Sequence, residues 1–315
     1  MRRTFVSVSL LLVFALLAGC SRSGGGVPAF SSQGGKLKVA ASFWPVYEFA
    51  RQVGGDRIDL VNMVPVGTEP HEWEPTPRHL KTLNEASLFI YSGAGMESWV
   101  EKTLESLDNK SLVVVEASHG IDLIEAGAEE EGHGHGHDEE MDPHVWLDPL
   151  GAVHQVEAIR DGLIQADAAG RAVYEANAAA YIERLKALDA DFSTGLAACS
   201  NKTFYTTHAA FGYLAHRYGL EQHPIMGLAP DAEPKPKDLE QIVAQAKKDN
   251  VTYIFFETLV SDKVAKLVAG EIGAQTLVLN PLEGLTDAEV KAGKDYLSVM
   301  RDNLANLRLA MECDK

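Results

Sequence analysis

The chain has 315 residues, a length typical of about two domains, and its 46% hydrophobic content excludes wholesale disorder. Its formal net charge of -17 argues against a nucleic-acid partner, because polyphosphate would be repelled. The same charge favours a body that attracts cations.

The first 20 residues have the composition of an export signal. Arg2 and Arg3 supply positive charge, residues 8–17 are an apolar run too short to span a membrane comfortably, and small residues precede Cys20. This pattern resembles a bacterial lipoprotein signal, which implies cleavage before Cys20 and a lipid anchor on that residue. An ordinary secretory signal is the alternative. Residues 21–35, rich in serine and glycine, are predicted to be a flexible tether.

Residues 36–147 are predicted to form an N-terminal α/β lobe. Short runs of β-branched and apolar residues alternate with helical patterns, and this alternation favours a parallel sheet covered by helices on both faces. The predicted strands are residues 37–43, 58–65, 87–92 and 111–117, and the predicted helices are residues 46–53, 77–85 and 97–107.

A tract rich in histidine, glycine and acidic residues, 129–140, lies late in this first lobe. His133, His135 and His137 alternate with glycine and are flanked by carboxylates. Such a segment cannot bury a core, but it can wrap a divalent cation. We interpret it as an auxiliary, weak metal-binding loop that captures ions for a tighter site.

Residues 148–198 are predicted to be linker helices between the lobes. Asp148 is a good N-cap and Pro149 suits the first helical position. After a break near residues 167–170, the stretch 171–196 favours one long, rigid helix. A strut of this kind differs from the flexible linkers that permit wide hinge closure.

Residues 199–315 repeat the strand and helix pattern and are predicted to be a second α/β lobe. Its strand candidates are residues 203–207, 221–226, 251–257 and 275–280. The fold class is therefore α/β, with two lobes of the (β/α)4 type joined by a long helix and a ligand site in the cleft between them.

Cys199 and Cys313 remain as an even pair once Cys20 is set aside. In an exported protein we predict a disulfide between them. Two unpaired, buried thiols are the alternative reading.

Four polar side chains fall in loops at or near the carboxyl ends of predicted strands, where ligands bind in open parallel sheets: His71, His144, His208 and Glu283. Three imidazoles and a carboxylate suit four-coordinate Zn²⁺, whereas manganese prefers more oxygen ligands. Copper and nickel are not excluded by affinity. Five other histidines are interpreted as surface or satisfied core residues: His79, His119, His154, His216 and His223.

At these positions the chain resembles a known family, the zinc-binding lipoproteins of bacterial ABC importers of the ZnuA/AdcA/TroA type (cluster A-I). The resemblance rests on Pro-His71-Glu-Trp-Glu-Pro-Thr-Pro, Asp-Pro-His144-Val-Trp-Leu-Asp-Pro, Thr-His208-Ala-Ala-Phe-Gly-Tyr and Leu-Asn-Pro-Leu-Glu283. It implies that the three histidines ligate zinc, since the manganese branch usually has glutamate at the third position. It also implies an ABC permease and its ATPase as partners.

The fourth ligand and the function both have alternatives. Asn280 stands where many relatives have aspartate, so Glu283 is the predicted ligand, with Glu69 or water as substitutes. The predicted function is extracytoplasmic zinc capture by a monomer that is not an enzyme. A manganese-binding protein of the same family, a zinc hydrolase and a surface adhesin are the alternatives; no His-Glu-x-x-His motif supports the hydrolase.

Overall fold

Strands and helices alternate from residue 37 to residue 116 and again from residue 203 to residue 278. The computed structural model describes residues 30, 35–125, 141–230 and 234–313. The strands within these ranges are β1 (Leu37–Ala41), β2 (Ile58–Asn62), β3 (Leu88–Tyr91), β4 (Val113–Glu116), β5 (Thr203–Thr206), β6 (Glu221–Pro224), β7 (Tyr253–Phe256) and β8 (Gln275–Val278). The helices are α1 (Trp44–Gly54), α2 (Pro77–Glu85), α3 (Val100–Ser106), α4 (Pro149–Ala166), α5 (Arg171–Leu196), α6 (Gly212–Tyr218), α7 (Pro236–Lys248), α8 (Lys263–Ile272), α9 (Asp287–Lys291) and α10 (Tyr296–Ala310).

Two four-stranded sheets form, one in each lobe. Their strand orders are β2-β1-β3-β4 and β6-β5-β7-β8, and all the pairs are parallel. The two lobes therefore share one topology, although their sequences show no obvious repeat. This arrangement confirms the predicted α/β fold class.

A continuous hydrophobic core connects the two lobes on the side of the linker helices. It includes Phe43 beside the first sheet, Trp146 ahead of α4 and Phe255 in the second sheet. The indole of Trp146 donates a hydrogen bond of 2.8 Å to the carbonyl of Pro281, and the Tyr296 hydroxyl donates one of 2.6 Å to the carbonyl of Trp146. Because side chains of both lobes pack into one core, the lobes are not joined by a flexible linker.

The linker helices follow the pattern of the sequence closely. Asp148 caps α4 by accepting a hydrogen bond from the Leu150 amide, and Pro149 occupies the first turn. The helix α5 has 26 residues and therefore spans about 39 Å. Its buried face, from Tyr174 to Leu196, packs against α1, α4 and α10. The predicted rigid strut is present.

None of the helices in the described ranges combines the length and the apolar character that crossing a membrane requires. Cys20 and nearly all of the predicted tether lie outside those ranges.

The disulfide predicted from the cysteine count joins Cys199 and Cys313 in the structure. It links the segment after α10 to the segment before β5. The same two segments are also joined by a hydrogen bond of 3.2 Å from the Asn201 amide to the Met311 carbonyl. The bridge closes the second lobe on itself.

Replacing both Cys199 and Cys313 with serine should lower the free energy of unfolding. The crosslinked residues are 114 apart, and the chain-entropy model assigns a loop of this size roughly 4 to 5 kcal/mol. Urea unfolding of the oxidised wild type and the double variant measures the difference, and the wild type in reductant is the matched control. Equal stability of all three samples would contradict a stabilising bridge.

Candidate metal centre

The structure brings together His71, His144, His208 and Glu283, all four of the side chains predicted as metal ligands. The Nε2 atoms of the three histidines each lie 3.2 Å from Oε1 of Glu283. One potential ligand atom from each residue lies within 4.8 Å of every other. Four sequence-distant loops, two from each lobe, therefore converge on one point.

The convergence follows from the parallel sheets. His71 lies in the loop after β2, His208 lies two residues after β5, and Glu283 lies in the loop after β8. His144 lies between β4 and α4, directly before a short 3-10 turn at Val145–Leu147. Since the carboxyl ends of parallel strands lie at one edge of a sheet, the two lobes direct these loops at each other.

The site is nearly closed to solvent. His144 and His208 are fully buried, and Glu283 is 2% exposed. The side chain of His71 retains 10% exposure. A cavity of about 300 Å³ adjoins the site, and of the four side chains it is lined by His71 alone. Its other walls come from both lobes and are mostly apolar, so an ion entering through it reaches His71 first.

Asn280 shapes the loop that carries Glu283. Its side-chain oxygen accepts a hydrogen bond of 2.8 Å from the Leu282 amide, and its nitrogen donates one of 2.9 Å to Glu289. The Asn280 backbone also exchanges hydrogen bonds with the Asn303 amide group. These bonds occupy Asn280 and hold Leu282 at a φ of 58°, which turns the chain so that Glu283 faces the three histidines. Asn280 is thus a structural residue of the loop.

Glu69, the alternative fourth ligand, is engaged elsewhere. Its two oxygens accept hydrogen bonds of 3.0 and 3.1 Å from the His71 amide, and Oε1 is 4.0 Å from His71 Nε2. Burial raises the pKa of the Glu69 carboxyl, with a further contribution from the charge of Glu283. In this geometry Glu69 supports the loop of His71, and Glu283 faces the imidazoles.

Two carboxylates that the sequence analysis missed lie behind the histidines. Asp142 Oδ1 accepts a hydrogen bond of 2.8 Å from the His144 amide and lies 2.8 Å from His144 Nδ1. Glu257 Oε1 lies 2.7 Å from His208 Nδ1, within ion-pair distance, although the angle departs from that of a regular hydrogen bond. Asp142 could have been suspected from its place two residues before His144. Glu257 directly follows β7, but its closeness to His208 depends on β7 pairing with β5, which the local sequence does not show.

The charges in the site shift the pKa values of its groups. Burial alone lowers the pKa of the His208 imidazole, but the charges of Glu257 and Glu283 outweigh it and raise that pKa to about 10. Burial also lowers the pKa of His144, and the hydrogen bonds to Asp142 and Glu283 reverse this and raise it. The pKa of Glu283 is well below its usual range because His208 and the imidazole hydrogen bonds outweigh burial. The site favours positive charge beside Glu283, whether from protons or from a metal ion.

The distances from Glu283 to the three imidazoles suit a small tetrahedral cation. Ligands bonded at about 2.0 to 2.1 Å to a tetrahedral zinc ion are about 3.3 Å apart. The observed 3.2 Å from Glu283 Oε1 to each Nε2 is close to that value. Where Nδ1 of His144 donates to Asp142, a neutral ring presents a lone pair at Nε2, which suits a metal ion.

The other histidines of the described ranges lie outside this cluster. His79 caps the start of α2 by accepting a hydrogen bond of 2.8 Å from the Thr76 amide. His154 contacts the His119 carbonyl at 2.8 Å, and His216 lies in the last turn of α6. His223 pairs with Glu221 and stacks on Tyr205. His133, His135 and His137 lie outside the described residues, so their predicted role stays a prediction.

Comparison with known proteins gives consistent matches over nearly the whole described chain. A family model described as zinc-uptake complex component A, periplasmic (ZnuA), matches residues 39–310. The high-affinity zinc uptake system protein ZnuA of Bacillus subtilis is 43% identical over 300 residues, which cover 94% of this chain and 93% of that protein.

A second relative is longer than this chain. The zinc-binding lipoprotein AdcA of Streptococcus pneumoniae is 45% identical over 278 residues, which cover 87% of this chain. The chain spans just over half of that relative's length, 56%. The Zn(II)-bound ZnuA-like domain of the same protein superposes with a TM-score of 0.76 and 42% identity, covering 88% of this chain and 100% of that domain.

Proposed function

This chain belongs to the ZnuA family of zinc-uptake components, and we propose that it captures Zn²⁺ outside the cytoplasm and delivers it to a cognate ABC permease. The observation that carries the proposal is the convergence of three imidazole Nε2 atoms on one buried carboxylate oxygen. Three nitrogens and one oxygen are a ligand set that zinc prefers, whereas manganese favours more oxygen ligands.

We propose His71, His144, His208 and Glu283 as the four zinc ligands. Each lies in a different loop, and all are buried or nearly so. Four protein ligands fill the four positions of tetrahedral zinc, and a catalytic zinc needs one of them for water. The geometry therefore supports reversible capture and not hydrolysis.

The partners and location extend this proposal. Lipidation at Cys20 would hold the protein at the outer side of a membrane, with residues 21–35 as a tether. The lobes, residues 36–147 and 199–315, with the linker helices of residues 148–198 between them, would then present the loaded site to a permease that an ATPase powers. The protein would act as a monomer, because the site is complete within one chain.

A zinc titration tests the metal and the stoichiometry. The full chain, produced without added zinc and stripped with a chelator, should bind one Zn²⁺ per chain tightly, and an excess of Mn²⁺ should not displace it. We expect a higher affinity for Zn²⁺ than for Mn²⁺ because the ligand set is rich in nitrogen. Equal competition by Mn²⁺ would overturn the zinc assignment.

The transport step needs a separate experiment. Cells in which the gene for this chain is deleted should accumulate less zinc from zinc-poor medium than the parent strain. A gene encoding the His208→Ala variant should not restore uptake, whereas the wild-type gene should. Unchanged zinc uptake in the deleted strain would argue against delivery to an importer.

The histidines at 133, 135 and 137 are proposed to bind zinc weakly and to assist capture. Replacing all three with alanine should leave the single tight zinc in place, because His71, His144, His208 and Glu283 already supply four ligands. Binding isotherms at limiting and at excess zinc separate the two classes of site, since only the weak class should disappear. Loss of the tight site in this triple variant would contradict the division of roles.

A further inference from the structure

The two fully buried histidines of the site each have a carboxylate behind the ring. Asp142 faces Nδ1 of His144, and Glu257 faces Nδ1 of His208. We propose that Asp142 and Glu257 are positioning residues that orient these two imidazoles toward the metal. The inference rests on the proposed zinc-binding function and assigns a role to two residues beyond the ligand set. One carboxylate comes from each lobe.

A carboxylate at Nδ1 selects one form of the imidazole ring. Asp142 accepts the Nδ1 proton of His144, and Glu257, within ion-pair distance of His208 Nδ1, favours a proton on that nitrogen. In both rings the lone pair then stands on Nε2, the atom that faces Glu283. The same contact restrains rotation of the ring, which lowers the entropy lost when a metal binds. Asp142 Oδ1 also accepts the His144 amide proton, so it fixes the backbone and the ring together.

Asp142 is itself fixed by the second lobe. The hydroxyl of Tyr213, in α6, donates a hydrogen bond of 3.0 Å to the Asp142 carbonyl. Gly212 lies so close that a Cβ atom there would be 2.5 Å from Asp142 Oδ2. Since α6 follows the loop of His208, the positions of His144 and His208 are coupled across the cleft.

Glu257 has an equally specific environment. It is 3% exposed and lies directly after β7, the strand beside β5 in the sheet. The hydroxyl of Thr207, the residue before His208, donates a hydrogen bond to the same oxygen that faces the ring. A buried carboxylate with no cation beside it would be costly, so its place next to His208 indicates a role tied to that imidazole.

His71 differs from the other two histidines. Among the described residues, the carboxylate contacts to its ring are made at Nε2, by Glu283 and, at 4.0 Å, by Glu69. His71 also lines the cavity and keeps some exposure. Two ligands are therefore held in place in advance, and the third is freer to adjust as the ion enters or leaves.

The test compares the variants Asp142→Ala and Glu257→Ala with the full wild-type chain. Each should bind Zn²⁺ roughly 10- to 100-fold more weakly, the usual effect of removing such a partner. Asp142→Asn and Glu257→Gln keep an oxygen that can accept the Nδ1 proton, and they should recover part of the affinity. The matched control is Glu48→Ala, which removes a carboxylate with the same 3% exposure from α1, outside the metal cluster.

A spectroscopic measurement separates positioning from general destabilisation. In zinc-loaded protein with ¹⁵N-labelled histidine, the Nδ1 protons of His144 and His208 should exchange slowly with water. Asp142→Ala should accelerate exchange at His144, Glu257→Ala should do so at His208, and Glu48→Ala should change neither. Unchanged affinity and exchange in both alanine variants would overturn the inference, as would equal weakening in the Glu48→Ala control. Absence of tight zinc binding in the wild type would instead overturn the proposed function.

Discussion

Replacing His208 with alanine should lower the zinc affinity on the order of 10²- to 10³-fold. Structural zinc sites have apparent binding free energies of about 10 to 16 kcal/mol, so one ligand of four contributes roughly 2.5 to 4 kcal/mol. His208 is fully buried, and its Nε2 lies 3.2 Å from Glu283 Oε1. Its loss removes a proposed ligand and also leaves Glu257 without the imidazole that faces it.

The measurement is a competition titration with a chelator of known zinc affinity. His223→Ala is the matched control, because His223 lies in the same lobe but pairs with Glu221 outside the cluster. Its affinity should equal that of the wild type. Thermal unfolding of both variants checks that the fold is retained. Full zinc affinity in His208→Ala would remove this residue from the ligand set.

The architecture could be predicted from the sequence because the runs of buried apolar residues nearly coincide with the hydrogen-bonded strands. The end of β2 shows the limit of that agreement. The predicted strand runs to residue 65, whereas β2 ends at Asn62. Met63 and Val64 are buried and still donate backbone hydrogen bonds to Ala41 and Ser42, but they leave the regular ladder. The hydrophobicity of a residue indicates that it is buried, but it does not indicate where the regular hydrogen bonding between strands ends.

The start of α3 shows how hydrogen bonds to one side chain can favour a loop where the sequence pattern predicts a helix. A helix was predicted from residue 97, but α3 begins at Val100. The carboxylate of Glu97 accepts hydrogen bonds from the amides of Ser92 and Gly93, at 2.8 and 3.0 Å. Those bonds hold the loop after β3 in place. Helix propensity alone does not reveal that Glu97 is engaged in this way.

The four residues of the metal cluster could be predicted from the sequence, whereas the carboxylates behind them were not predicted. His71, His208 and Glu283 follow strands, so the rule for parallel sheets was enough to group them. Glu257 also follows a strand, yet its side chain supports an imidazole, and the rule does not separate these roles. Whether such a residue faces the metal site or supports an imidazole depends on the strand order of the sheet and on the direction of the side chain. The local sequence predicts neither.

Zinc affinity should fall steeply as the pH decreases, and the fall should begin well above the ordinary imidazole pKa of about 6.5. A protonated imidazole cannot ligate a metal, so protons compete with zinc. In the metal-free site the pKa of His208 is raised to about 10 by Glu257 and Glu283, against the effect of burial. Zinc must therefore displace a proton from His208 throughout the range below that value. Glu283 adds nothing to this dependence, because its low pKa keeps it ionised.

The size of the effect depends on how many protons leave. One displaced proton lowers the affinity about tenfold per pH unit, so a change from pH 7.5 to 5.5 costs on the order of 10²-fold, and two displaced protons cost on the order of 10⁴-fold. The raised pKa of His144 favours the larger loss. Calorimetry at pH 7.5 in two buffers of different ionisation enthalpy counts the protons, and chelator competition at both pH values gives the affinities. The His223→Ala variant should follow the wild-type curve. An affinity that stays constant between pH 7.5 and 5.5 would be incompatible with zinc ligation by these imidazoles, because their protons must leave before the metal can bind.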